Sequence, residues 1–391
     1  PTLRPHRIAV GLYDTVGEGA QAVVRRVRRI EIDIDGPLTE VPGLVGVAQP
    51  DLLLLNDDDL SYAKIRLDDR SLATVTEHLG GVEDSLARAL LWGSVWDATR
   101  DAEFPASRFI DLVLAHVGAE TNSTTLETLL DQLETAARDY VDVPRRGGVD
   151  ALVAEGLWHL AATADPGSDH QLQFATAYSR SAVTPTQVDR VRGLLRDGAA
   201  LDGLIVSDEL GWELLTALVV AGEAGPEEIE ARLAIDRTAS GEVAALRARA
   251  ARPGHVAKTE AWDSVFATDA ASNHDVEAIA QGFLRVRDPA LLEPFVEPFH
   301  DALLGTWESR SYSIAEQVIG GFYPAPIASL GLSAATRNWL DAHPEAAPTL
   351  RRLVGEPLAD LERALAAQER DRREVGPPGP GESGVRRSSH A

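Results

Sequence analysis

The hydrophobic period changes once, near residue 70, and that change limits the fold more than any single motif. Before it, Ile8, Val10 and Leu12 alternate with Arg7, Ala9 and Gly11, and Ile30, Ile32 and Ile34 alternate with Glu31, Asp33 and Asp35. A period of two broken by a glycine-bearing turn predicts a half-buried hairpin. Residues 52–55 and 62–67 add two further runs beyond loops at Gly36-Pro37 and Pro42-Gly43. About four strands are therefore expected, too few to close a sandwich of the usual roughly six or more. The chain opens on Pro1 with no initiator Met and enters this pattern within a few residues. The missing strands are expected upstream.

From Ser71 onward the period is helical. Val82, Leu86, Leu90 and Leu91 share one face, as do Phe109, Leu112 and Val113, and later Leu126, Leu129, Leu130 and Leu133. Thr184-Pro185, Gly225-Pro226 and Asp288-Pro289 read as helix starts, with a capping residue before a proline in the first turn. Gly80-Gly81, Gly147-Gly148, Asp165-Pro166-Gly167 and Pro253-Gly254 read as stops. Trp96, Trp212, Trp262 and Trp307, each followed by an acidic residue, hint at degenerate helix-pair repeats, although core filling explains them equally well.

The expected architecture is mainly α: a helical repeat bowl of the HEAT or armadillo kind over residues 70–367, preceded by a small, incomplete β-sandwich at 1–69. Residues 368–391, rich in Gly and Pro, are expected to form a disordered tail.

Composition narrows the partners. A formal charge of -24 argues against nucleic acid and anionic membranes, which require clustered Lys and Arg. No apolar run approaches the roughly 20 residues of a membrane span. With no Cys there is no disulfide, thiolate metal site or cysteine nucleophile, which suits the cytoplasm. Lys64 and Lys258 are the two lysines among many arginines, a bias of GC-rich coding.

A search for catalytic motifs returns little. No two histidines stand at the i, i+4 spacing of a helical zinc site, and none is followed by Glu. His274 and Glu277 share a helix face, an arrangement that more often caps or solvates a helix start than binds metal. Gly17-Glu18-Gly19 lacks the third glycine of a phosphate loop. Asp57-Asp58-Asp59 fails as a calcium loop, since Tyr62 stands where glycine must turn the chain and Asp68 where a bidentate Glu closes it. The triplet reads as a turn between strands.

Residues 53–64, LLLNDDDLSYAK, nevertheless resemble the end of the small β-sandwich in the bacterial aminopeptidase N family of zinc metallopeptidases. ARALLW at 87–92 and WDATRDAE at 96–103 look like the first long helix of that family's C-terminal domain. Residues 165–168, 212–218, 248–253, 272–274 and 282–283 continue the likeness in order, to about residue 366. The resemblance implies a parent hydrolase that removes N-terminal residues from peptides with a bound Zn. It also implies that His-Glu-x-x-His and Gly-x-Met-x-Asn belong to a catalytic domain upstream, because this chain contains neither and has no Met.

The chain is thus expected to be a non-catalytic part of an aminopeptidase, inactive alone and holding no cofactor itself. It would form the substrate chamber or lid over the active site, with the upstream catalytic domain and peptide substrates as its partners. A peptide carboxylate suits a guanidinium fork, which nominates Arg88, Arg100 and Arg310 for the chamber. The plainer alternative for each is an internal salt bridge, such as Arg100 with Asp97 or Glu103. The rival function is a stand-alone helical-repeat scaffold that binds a protein partner.

Overall fold

The computed structural model describes residues 4–19, 22–197, 200–268 and 271–375. The sheet contains β1 (His6–Val16), β2 (Val23–Ile34) and β3 (Leu52–Asp57) in the order β2-β1-β3, all antiparallel. Within β1 and β2 the hairpin registers His6 against Ile34 and Val16 against Val23. One face of the sheet sends Tyr13, Leu52 and Leu54 into the helical core beside Val75, Leu79 and Val82. The other gathers Ile8, Val10 and Leu12 with Ile30, Ile32 and Leu53 beneath Leu44 and Val47 of the intervening loop.

The fourth expected strand is not formed. Residues 62–67 run extended but dock on a helix: the Ile65 carbonyl accepts from Ser94 Oγ, while Lys64 and Arg66 reach Asp101 and Arg66 also reaches Glu103. Alternation there reflects one buried Ile65 between charged neighbours, not a sheet partner.

The aspartate triplet does form a turn, with Asn56, Asp58 and Asp59 at φ 56°, 68° and 53°. It is also more than a turn. Asp57 is buried, accepting from Tyr13 Oη at 2.7 Å and Arg26 Nη1 at 2.8 Å. Gly11 is required opposite it, because a Cβ there would stand 2.3 Å from Asp57 Oδ2.

The helices follow in order: α1 (Asp69–His78), α2 (Ser85–Arg100), α3 (Ala106–His116), α4 (Ser123–Thr135), α5 (Arg146–Thr163), α6 (Asp169–Ser181), α7 (Pro185–Asp197) and α8 (Asp208–Val220). Then come α9 (Pro226–Ile235), α10 (Ala239–Ala250), α11 (His255–Phe266), α12 (Asn273–Leu284), α13 (Val296–Ser309), α14 (Tyr312–Gly321), α15 (Leu330–Ala342) and α16 (Pro348–Val375). A π-helical turn, Ala136–Tyr140, extends α4.

Gly147 and Gly148 do not stop a helix. They fall in the first turn of α5, where backbone N–H groups need no intrahelical partner. Asp288-Pro289 opens a 3₁₀ segment, Pro289–Phe295, because Pro294 interrupts any longer helix. The helical pattern also outlasts residue 368: α16 continues to Val375 and buries Gln368 and Asp371. The expected tail from 376 onward lies outside the described residues.

Contacts alternate along the chain. From α4 to α16 each even-numbered helix touches the next even-numbered one, and the odd-numbered helices pack against these. Three apolar cores result. The first spans the sheet, α1–α8 and the end of α16; a small one joins Trp212 and Val219 to Ala245 and Ala248; the last runs from Ala250 to Leu361. The four tryptophans do not mark equivalent positions: Trp96 stacks on Tyr140, Trp212 donates to Asp236, Trp262 lies among phenylalanines and Trp307 meets Tyr312.

Candidate functional site

Side chains cap the successive even-numbered helices from α4 to α12. Asn122, Ser168, Ser207, Thr238 and Ser272 accept from the first-turn N–H groups of α4, α6, α8, α10 and α12. The starts of α6, α8, α10 and α12 converge, and Asp169, Ser207, Thr238 and His274 line one open cleft of about 1100 Å³. Its floor is Leu130, Leu172, Ala177 and Trp212.

The cleft is acidic, with seven carboxylates against Arg180 and Arg247. Three are already committed: Asp208 pairs with Arg232, Asp236 accepts from Trp212 and Thr238, and Glu213 holds two arginines. Glu127, Asp131 and Glu209 are exposed on the wall. Partial desolvation by the surrounding wall nonetheless raises the Asp131 carboxyl above its ordinary range, opposed by Arg180. Two wall atoms, Gln173 Oε1 and Arg247 Nε, are buried without a hydrogen-bond partner.

A chain of charges crosses these helices beside the cleft. Arg138, in the π-helical turn, pairs with Glu134 and Asp139; Glu134 also meets Arg180 at 3.5 Å. Arg180 reaches Glu213 at 3.1 Å, and Arg285, just past α12, reaches the same oxygen at 2.7 Å. Burial pushes Glu213 up, but Arg285 and Arg180 outweigh it and hold the carboxyl below its usual range. Glu213 thus lines the cleft as a carboxylate pinned between two guanidinium groups.

None of Arg88, Arg100 and Arg310 lines this cleft. Arg88 is buried, donating to both oxygens of Glu120 at 2.8 and 3.3 Å and to the Val82 carbonyl at 2.7 Å. Glu120 also accepts from Trp92 Nε1. Arg310 caps the end of α11 by donating to the Val265 and Thr268 carbonyls. Arg100 lies against the Tyr140 phenol, while Asp101 and Glu103 pair with Lys64 and Arg66. The three arginines stand apart from the cleft, whereas residues 165–168 and 272–274 sit at helix starts beside it.

Among the described residues no three His, Asp or Glu side chains converge to hold a metal ion. His274 and Glu277 stand in α12 behind a capping box formed by Ser272 and Asp275. No helix among the described residues is long and apolar enough to cross a membrane.

Comparison with known proteins matches this architecture. An aminopeptidase N from Streptomyces lividans is 46% identical over 373 residues, which is 95% of this chain and 43% of that protein. The chain thus spans less than half the length of the relative it matches. The family model described as ERAP1-like C-terminal domain covers residues 52–363, from β3 into α16. With that match over most of its length, the chain belongs to the ERAP1-like C-terminal domain family.

Proposed function

We propose that this chain is the non-catalytic C-terminal part of a zinc aminopeptidase and that its cleft forms part of the chamber that receives the peptide. The observation that carries the reading is the cleft itself, a concavity assembled from the starts of successive even-numbered helices in a chain 46% identical to an aminopeptidase N. Zinc chemistry would polarise the scissile carbonyl and activate a water. Among the described residues no three His, Asp or Glu side chains converge on such an ion.

The part left to this chain is positional. Carboxylates on a low wall attract the cationic ends of a substrate, and the apolar floor accepts side chains beyond the residue being removed. The unbroken run of contacts from α4 to α16 along the even-numbered helices supports the repeat-built bowl, since helix-pair repeats bury their faces on their neighbours. Attachment to an upstream catalytic domain and a cytoplasmic location belong to the same proposal.

The test is photo-crosslinking in the full-length aminopeptidase that carries this chain. A peptide with a photoreactive residue several positions from its N-terminus should label α4, α6, α8 or α10 and be displaced by unlabelled substrate. Displaceable labelling confined to other surfaces would sink the proposal.

A further inference from the structure

Lys258, in α11, has no exposed surface. Its Nζ donates to the carbonyl of Ala250, the last residue of α10, at 2.8 Å, and to that of Gly282, near the end of α12, at 3.1 Å. The Phe283 ring lies 5.8 Å away. A neutral amine has two N–H donors, and two carbonyls complete it; an ammonium brings a third donor and a charge. That third donor would meet the Phe283 ring, a cation–π contact that offsets part of the cost of the charge. The two helix ends offer partial negative charge, which falls short of a counter-ion.

Charged groups on the surrounding elements do not compensate. Arg249 of α10 pairs with Glu230, and Arg252 beyond it pairs with Glu260 of α11. On α12, Asp275 caps the opposite end and Glu277 binds Gln281, while Arg285 past its end is held by Glu213. In α11, His255 packs on Phe295 and Asp263 is exposed. In the 3₁₀ segment against α11, Asp288 caps Ala290 and Glu293 is exposed.

The site is a joint. Ala245, Ala248 and Ala251 belong to the core shared with Trp212, whereas Ala250, Ala261 and Trp262 belong to the core that runs on to Leu361. At the crossing of α10 and α12 the backbones touch, and a Cβ on Gly282 would lie 2.1 Å from the Arg247 carbonyl. Lys258 bonds both helices beside this contact.

We propose that Lys258 is a pH-sensitive joint: as a neutral amine it ties α10, α11 and α12 together, and on protonation it loosens the contact between the two cores. Burial, with Arg252 acting in the same sense, pushes the amine from its ordinary 10.5 down to about 7. The unfolded chain therefore binds the proton throughout a window in which the folded chain has lost it. Stability rises with pH through that window and is lowest below it. Because α10 and α12 carry Arg247 and His274, mild acidification also loosens one wall of the cleft.

The experiment compares the full-length chain with its Lys258→Met variant, which keeps an apolar stem of similar size. Between pH 8.5 and pH 6 the wild-type thermal midpoint should fall by about 3 °C relative to the variant. Parallel midpoint curves would overturn the proposal. Should the variant not fold, hydrogen exchange of the wild type decides: after correction for intrinsic rates, amides of α10, α11 and α12 should lose protection at pH 6 relative to those of α2 and α3. Equal protection at both pH values would likewise overturn it.

Discussion

Asp371, 264 positions beyond Ser107, accepts a hydrogen bond from the Ser107 backbone N–H at 2.8 Å. Pro105 stands at the cap position of α3 and offers no side-chain oxygen, so the last helix supplies the missing acceptor. The other Asp371 oxygen takes Arg145 Nη1 at 2.8 Å, and Gln368 donates to the Asp139 carbonyl. Through these contacts α16 returns to α3 and the π-helical turn.

Asp371→Ala should therefore destabilise the chain by about 2 kcal/mol, because it strands a partly buried N–H and a partly buried guanidinium. Urea denaturation checks this. Arg145→Ala should cost less, since that side chain keeps 24% of its surface in water.

Arg88→Ala should be as damaging for a different reason. It leaves the Glu120 carboxylate, with 2% of its side chain exposed, without its cation, at a cost of about 3 to 5 kcal/mol. The loss should show in the unfolding midpoint, while KM of the full-length enzyme for peptides stays unchanged at a temperature where the variant is folded. A raised KM with unchanged stability would return Arg88 to the substrate.

Glu127, Asp131 and Glu209 should favour cationic peptides. Neutralising all three as Gln or Asn should raise KM for a lysine-containing peptide about threefold per charge relative to its uncharged counterpart, less at high salt. An equal change for both peptides would mean that shape, not charge, is read there.

Asp150 carries a pH dependence of opposite sign to that of Lys258. Burial pushes its carboxyl up to about 6, against the pull of Arg146 and Arg138. The native state holds that proton more tightly than the unfolded chain, so the associated stability is present at low pH and is lost as pH rises through about 6. Asp150→Asn should gain about 1 kcal/mol over wild type between pH 4 and pH 7, a figure reduced for partial solvent access. Denaturation at the two pH values checks it.

Much of the helical part was legible because its signals are local. Pro185 and Pro226 begin α7 and α9, and Gly167 and Gly254 stand between helices with φ of 72° and 99°. Gly147-Gly148 misled because a glycine pair reads alike at either end of a helix. The sheet was overcounted because a single buried Ile65 on a helix mimics one face of a strand. The cleft was illegible for another reason: it joins residues from α4 to α12 across some 150 positions, and only their common place at helix starts relates them. The same distance hid the partners of Arg88 and Arg310, a carboxylate 32 positions on for the first and carbonyls at the end of α11 for the second.

The return of α16 also has a temporal meaning. During synthesis α3 waits for its cap until the ribosome has made more than 260 further residues, some tens of seconds at ordinary rates. Until then the N-terminal helices present a seam with an unmet N–H and open apolar surface, the condition under which nascent chains recruit chaperones. The closing contact spans about two thirds of the chain in one loop, so the step that makes it should be the slowest in its assembly.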